Sequence, residues 1–135
     1  MTTLVVDASI GIKWFKTVGE KQTKQAIDLL NQFRDQKVNL CFPDIFLYEM
    51  TNIAKYDKKC PESVWEGAIK SLFALSFGIY PIDQSLAVES YNLAKKLDLT
   101  VYDAAYLVLA KKLSTRVVTQ DQKLLRLAPD LTKAL

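Results

Sequence analysis

The chain has 135 residues, 50% of them hydrophobic and 24% charged, carries a formal charge of +3, and contains no histidine. That length suits one domain, expected over residues 1–135, and the composition is that of a globular chain rather than a disordered, fibrous or disulfide-stapled one. Without imidazole there is no Ser-His-Asp or Cys-His pair and no His-containing zinc site, so any catalysis must run on carboxylates, lysines, hydroxyls or thiols, or on a metal they hold.

Residues 3–6 (Thr-Leu-Val-Val) are an apolar, β-branched run and predict a buried strand. The opening Met-Thr-Thr leads into it without the charged and apolar regions of a secretory leader, and no stretch nears the ~20 apolar residues of a membrane span. A reduced, cytoplasmic protein without membrane contact is expected, with Cys41 and Cys60 as small buried hydrophobes. Residues 8–16 read as a short helix ending near Trp14 and Phe15, and 20–36 as a longer one, with Ala26, Ile27, Leu30 and Phe33 at helical spacing. A second strand at 39–42 is closed by Pro43, and a helix follows over 44–56. Pro61 suits the first position of a helix running to 75. The third strand, 78–82, contains Pro81 and so belongs at a sheet edge. Helices at 83–97 and 100–112, a strand at 116–118 and a short helix at 122–127 complete the pattern.

Strands and helices alternate, and the strands are apolar on both faces. This predicts an α/β three-layer sandwich, a short central parallel sheet of about four or five strands flanked by helices with right-handed crossovers. In such open sheets ligands bind beyond the carboxyl ends of the strands. Asp7 directly follows Leu-Val-Val, and Asp121 follows Arg-Val-Val-Thr-Gln. Each is equally suited to cap the next helix, and the two roles can coexist. Glu49 shares a helix face with Ile45 and Ile53, where a carboxylate needs a hydrogen-bonding Tyr or Thr, or a cation. Asp103 stands three residues after Thr100, the spacing of a capping box, at the start of a helix apolar nearly all round. No basic residue lies between Lys96 and Lys111 to neutralise it locally.

The alternation lets these four acids converge above one edge of the sheet. Alone they would repel, raising several pKa values. A divalent cation reverses that balance, and an all-oxygen set points to the hard ions Mg²⁺ or Mn²⁺ as cofactor. Such ions polarise a phosphodiester, activate water and steady the leaving oxygen, chemistry that needs no histidine.

The same segments resemble the PIN domain family, most closely the short VapC-type ribonuclease toxins, along nearly the whole chain. Val-Val-Asp7-Ala-Ser9 matches the opening strand motif, and Pro43 through Glu49 to Asn52 matches the second. Tyr102-Asp103-Ala-Ala-Tyr-Leu-Val-Leu-Ala110 resembles the third and Val-Val-Thr119-Gln-Asp121-Gln-Lys-Leu124 the fourth. The resemblance implies a PIN-like fold in which Asp7, Glu49, Asp103 and Asp121 hold the metal and act in catalysis, with Asp7 and Asp103 central. Ser9 and Thr119 match small hydroxyl positions beside it, and Asn52 closes the second motif. It further implies Mg²⁺- or Mn²⁺-dependent cleavage of RNA, homodimerisation and a cognate antitoxin. Some relatives carry another acid two residues past the last aspartate, where this chain has Lys123; a second metal site is weakened accordingly.

Fifteen of the eighteen basic residues are Lys, a balance that permits a polyanionic partner without pointing to one. Lys13, Lys16, Lys55, Lys58 and Lys59 flank the acid-bearing segments and are candidates to guide an RNA backbone, against plain solvation. Trp14 and Phe15 suit core or dimer packing better than base stacking. The leading expectation is a metal-dependent endoribonuclease, the toxin of a toxin–antitoxin pair. The alternative is a catalytically silent PIN-like RNA- or protein-binding module whose acids merely cap helices. A phospho-accepting receiver domain ranks last, because Asp7-Ala8 lacks the paired acids such a site requires after its first strand.

Overall fold

The computed structural model describes residues 1–16 and 18–135. Five strands, β1 (Thr2–Val6), β2 (Val38–Pro43), β3 (Gly78–Tyr80), β4 (Val117–Val118) and β5 (Thr132–Lys133), pair in parallel in the order β3-β2-β1-β4-β5. Seven helices connect and cover them: α1 (Ala8–Phe15), α2 (Thr23–Arg34), α3 (Ile45–Tyr56), α4 (Glu62–Ala74), α5 (Gln84–Leu97), α6 (Val101–Lys112) and α7 (Gln122–Leu127). The chain steps outward from β1 through β2 to β3, then returns to lay β4 on the other side of β1. Right-handed crossovers in opposite directions put their helices on opposite faces, giving the expected three layers. Among the described residues, no helix is long and apolar enough to cross a membrane.

The reversal of strand order falls between β1 and β4, so the switch-point crevice opens beyond Val6 and Val118, which pair directly. α6 underlies this point, touching β1, β2 and β4. Its residues from Ala104 to Ala110 are all buried, as an apolar run with no polar face demands. On the side of α1, Phe42 and Phe46 stack with ring centroids 3.9 Å apart. Phe77 lies flat between Phe33 and Trp14, at 4.5 and 5.5 Å. Trp14 is buried and its indole N–H donates to the Ala26 carbonyl at 3.0 Å, a core role that leaves its ring no exposed face for a base.

Several boundaries differ from the sequence pattern. β3 lies at the sheet edge as expected, but it stops at Tyr80, so Pro81 follows the strand rather than standing in it. Pro61 occupies the N-cap of α4 rather than its first turn. Cys41 is buried, whereas Cys60 is only half-buried. β5 has no counterpart in the predicted elements: two residues carry no periodicity, and pairing with β4 is what makes them a strand.

Candidate active site

Asp7 ends β1 and begins α1, and its carboxylate serves both. Oδ1 accepts the Ser9 backbone N–H at 3.1 Å, which caps the helix, and the Ser9 hydroxyl at 2.5 Å. Oδ2 accepts the hydroxyl of Thr119, just past β4, at 2.5 Å. The protons in this network have a fixed direction. Ser9 Oγ accepts the Gln120 N–H and Thr119 Oγ1 accepts the Asp121 N–H, each at 3.0 Å, so both hydroxyls are left to donate to Asp7. Asp7 is only 6% exposed. Burial pushes its carboxyl up to about 6, against the pull of the Ser9 and Thr119 hydrogen bonds, and the charge of Asp121 adds to the rise.

Glu49 sits half-buried on α3, where the Tyr106 phenol of α6 donates to its Oε1 at 2.6 Å. Its pKa is raised by burial first, then by the charges of Asp7 and Asp103, while the phenol opposes the shift. Burial, and then the Glu49 charge, hold the Tyr106 phenol well above its ordinary range, so it remains the donor. Asp103 lies in the first turn of α6, capped by Thr100, whose Oγ1 accepts the Asp103 N–H at 3.1 Å. Its carboxyl is raised by burial and by Asp121, with Thr100 and Lys123 opposing. Asp121 caps α7: its Oδ1 accepts the Lys123 and Leu124 N–H groups at 2.9 and 3.2 Å.

The four acids thus lie within electrostatic reach of one another around the crevice, and none joins an ion pair among the described residues. Lys123 sends its ammonium to the Asp98 carbonyl at 3.1 Å instead. A hard divalent ion suits this donor set: carboxylate oxygens only, with no cation paired to them among the described residues. No three acidic side chains close to a metal-binding cage among the described residues. Mg²⁺ tolerates such a loose set, because it keeps several waters and needs only one or two carboxylates.

The other predicted residues separate. Asn52 is exposed on α3 and lines a hollow with Glu49 rather than touching the other acids. Lys13 is not a surface lysine: it is buried, and its ammonium pairs with Glu20 at 3.0 Å. Lys16 leans toward Asp57 at 4.0 Å, whereas Lys55 is exposed and lies over the Tyr56 ring, 5.1 Å from its centroid. Tyr106 was not among the sequence candidates. Its signal is a phenol within the apolar run of α6, which must find a partner when buried.

The PIN domain model matches residues 4–129. No curated protein matches the chain in sequence. Among solved structures, PAE2754 from Pyrobaculum aerophilum is similar at 19% identity and a TM-score of 0.74, covering 97% of this chain and 83% of its own. VapBC2 from Rickettsia felis, solved bound to a DNA fragment from their promoter, gives 11% identity and a TM-score of 0.72, with 99% of both chains covered. A toxin–antitoxin complex from Klebsiella pneumoniae gives 23% and 0.66, covering 98% of this chain and 95% of that one. These likenesses concern the fold. With the family model spanning both ends of the acid cluster, the chain belongs to the PIN domain family.

Proposed function

We propose that this chain is a Mg²⁺- or Mn²⁺-dependent endoribonuclease of VapC type, cleaving RNA phosphodiesters at Asp7, Glu49, Asp103 and Asp121. The observation that carries the reading is four neighbouring carboxylates, without a paired cation among the described residues, at the switch point of a PIN-domain sheet. A bound divalent ion would offset their repulsion and supply Lewis-acid stabilisation of the reacting phosphate. The chain's own groups do the positioning. Ser9 and Thr119 fix both oxygens of Asp7, so its carboxylate cannot rotate. Tyr106 holds one oxygen of Glu49 and leaves the other available. Asp121 gives Oδ1 to its helix cap, and that cap leaves Oδ2 unused. Lys55, exposed near Glu49, suits contact with the RNA backbone.

The toxin reading, with a cognate antitoxin, is supported by toxin–antitoxin proteins among the similar folds, and it brings with it the proposal of a homodimeric, cytoplasmic protein. RNA cleavage by wild type and Asp7→Asn, with Mn²⁺, with Mg²⁺ and with chelator, tests it. Loss of cleavage on chelation and in the variant is expected, and equal activity in all arms rejects the mechanism. A silent PIN-like binding module is the second reading, favoured by the absence of a closed acid cage among the described residues. A divalent ion should raise the melting temperature of the enzyme but leave that of a silent module unchanged.

A further inference from the structure

Beside the acid cluster lies an open hollow of about 490 Å³, between α3 and the start of α6. Ile45, Tyr48, Glu49, Asn52, Lys55 and Tyr102 are among its lining residues. Tyr48 and Tyr102 are 76% and 62% exposed, although the acid-bearing residues next to each, Glu49 and Asp103, are partly buried. Two flat aromatic side chains thus stand in water at the lip of the site, one neighbouring Glu49 in sequence and the other Asp103. Glu49 belongs to both the hollow and the cluster, so a ligand seated in the hollow lies against the acids.

We propose that this hollow is a nucleobase subsite, in which Tyr48 and Tyr102 stack the base of a nucleotide adjoining the scissile phosphate of single-stranded RNA. The proposal rests on the ribonuclease reading and adds to it which face of the site grips the substrate. Aromatic stacking is tolerant of sequence, because every base has a π-face. Asn52 carries both a donor and an acceptor for a base edge, and Lys55 supplies a cation for the flanking phosphate. The volume falls within the range of small-ligand sites. A double helix fits poorly, since its bases are already stacked on one another and offer a side chain only their edges. A second copy of this chain fits poorly too. It would seal the half-buried Glu49 carboxylate, which has no paired cation among the described residues, still further from water.

The test measures fluorescence anisotropy of labelled single-stranded 12-nucleotide oligouridine and oligoadenosine with the full chain carrying Asp7→Asn, so that bound RNA survives. Added Tyr48→Ala or Tyr102→Ala is expected to weaken binding roughly 5- to 100-fold, with Tyr→Phe at either position staying within about twofold. A duplex of the same length should respond to neither change. Both tyrosines are exposed, so the variants should fold, and an unchanged melting temperature checks this. Undiminished binding by both Ala variants overturns the subsite, as does no measurable binding by the parent. A fall in the mass of the parent assembly on Tyr48→Ala, read by sedimentation velocity, overturns it in favour of an interface between copies. Wild-type cleavage with Mn²⁺ separates the two levels: cleavage that persists while the Ala variants bind normally rejects the subsite alone, whereas no cleavage rejects the reading beneath it.

Discussion

The phenol of Tyr106 donates to Glu49 Oε1 at 2.6 Å and so ties α6 to α3 across a separation of 57 positions. Tyr106 is 1% exposed, so its hydroxyl has no water to turn to, and Glu49 gains the one hydrogen bond that opposes the rise in its pKa. Tyr106→Phe should cost about 1.5–3 kcal/mol, the worth of a hydrogen bond to a charged group, and raise the Glu49 pKa further. Urea unfolding reads the first effect. The second appears as a Mn²⁺-binding midpoint that shifts to higher pH, and an unchanged midpoint would place Glu49 outside the metal centre.

Asp7 makes stability depend on pH in a direction unusual for an aspartate. Its folded pKa of about 6 lies above the ordinary 3.8, so the fold binds this proton more tightly than the unfolded chain does. Its contribution is most favourable below pH ~4 and is lost as pH rises to ~6, a total of about 3 kcal/mol over two pKa units. Glu49 and Asp103 are raised too and act in the same sense. In chelator the unfolding free energy should therefore fall between pH 4 and 7, and the fall should shrink in Asp7→Asn. A wild-type profile parallel to that of the variant would contradict the shift.

Two glycines in helices should respond oppositely to alanine. A Cβ on Gly11 would stand 2.7 Å from Phe46 Cζ and 3.0 Å from Met50 Sδ, both deep in the core. A Cβ on Gly67 would meet nothing within 4 Å. Overpacking outweighs helix propensity at the first site, so Gly11→Ala should destabilise by about 1–3 kcal/mol. Propensity alone acts at the second, so Gly67→Ala should stabilise by about 0.5–1 kcal/mol. Denaturation midpoints of the pair decide both.

The Lys13–Glu20 pair predicts another asymmetry. Their side chains are 7% and 22% exposed. Glu20→Gln leaves a buried ammonium uncompensated and should cost up to about 3 kcal/mol, near the low end for buried pairs because Glu20 still meets water. Lys13→Met removes the charge itself and should be close to neutral or stabilising. Equal losses from the two changes would mean that the pair, rather than the stranded charge, sets the energy.

The sequence discloses those parts of the molecule whose cause is local. Apolar runs mark β1, β2 and β4, and the unbroken apolar stretch of α6 marks its burial. Asp7 and Asp121 were readable as residues following strands, because the polar break after an apolar run is itself the signal. Tyr106 and Glu49 were not readable as a pair, since nothing in either segment specifies the other. Lys13 misled for the same reason: a lysine flanking an acid-bearing segment looks solvated until the Glu20 segment folds over it. Thr132 is buried at 3% only because β4 lies beside it, so β5 left no trace in a pattern read along the chain.

The hydrogen bond from Thr119 to Asp7 joins positions 112 apart, and this has a consequence for biosynthesis. The ribosome delivers Thr119 112 residues after Asp7, with Asp121 just behind it. Until then the first aspartate lacks one of its two hydroxyl donors, and β1 lacks the neighbour that forms the crevice and stands as an open sheet edge. A nascent or prematurely terminated chain therefore displays the acids on separate, unjoined pieces. Such long-range parallel pairing is also slow to form. A hazardous nuclease built this way would stay harmless during its own synthesis, and any partner that must restrain it gains the folding time in which to arrive.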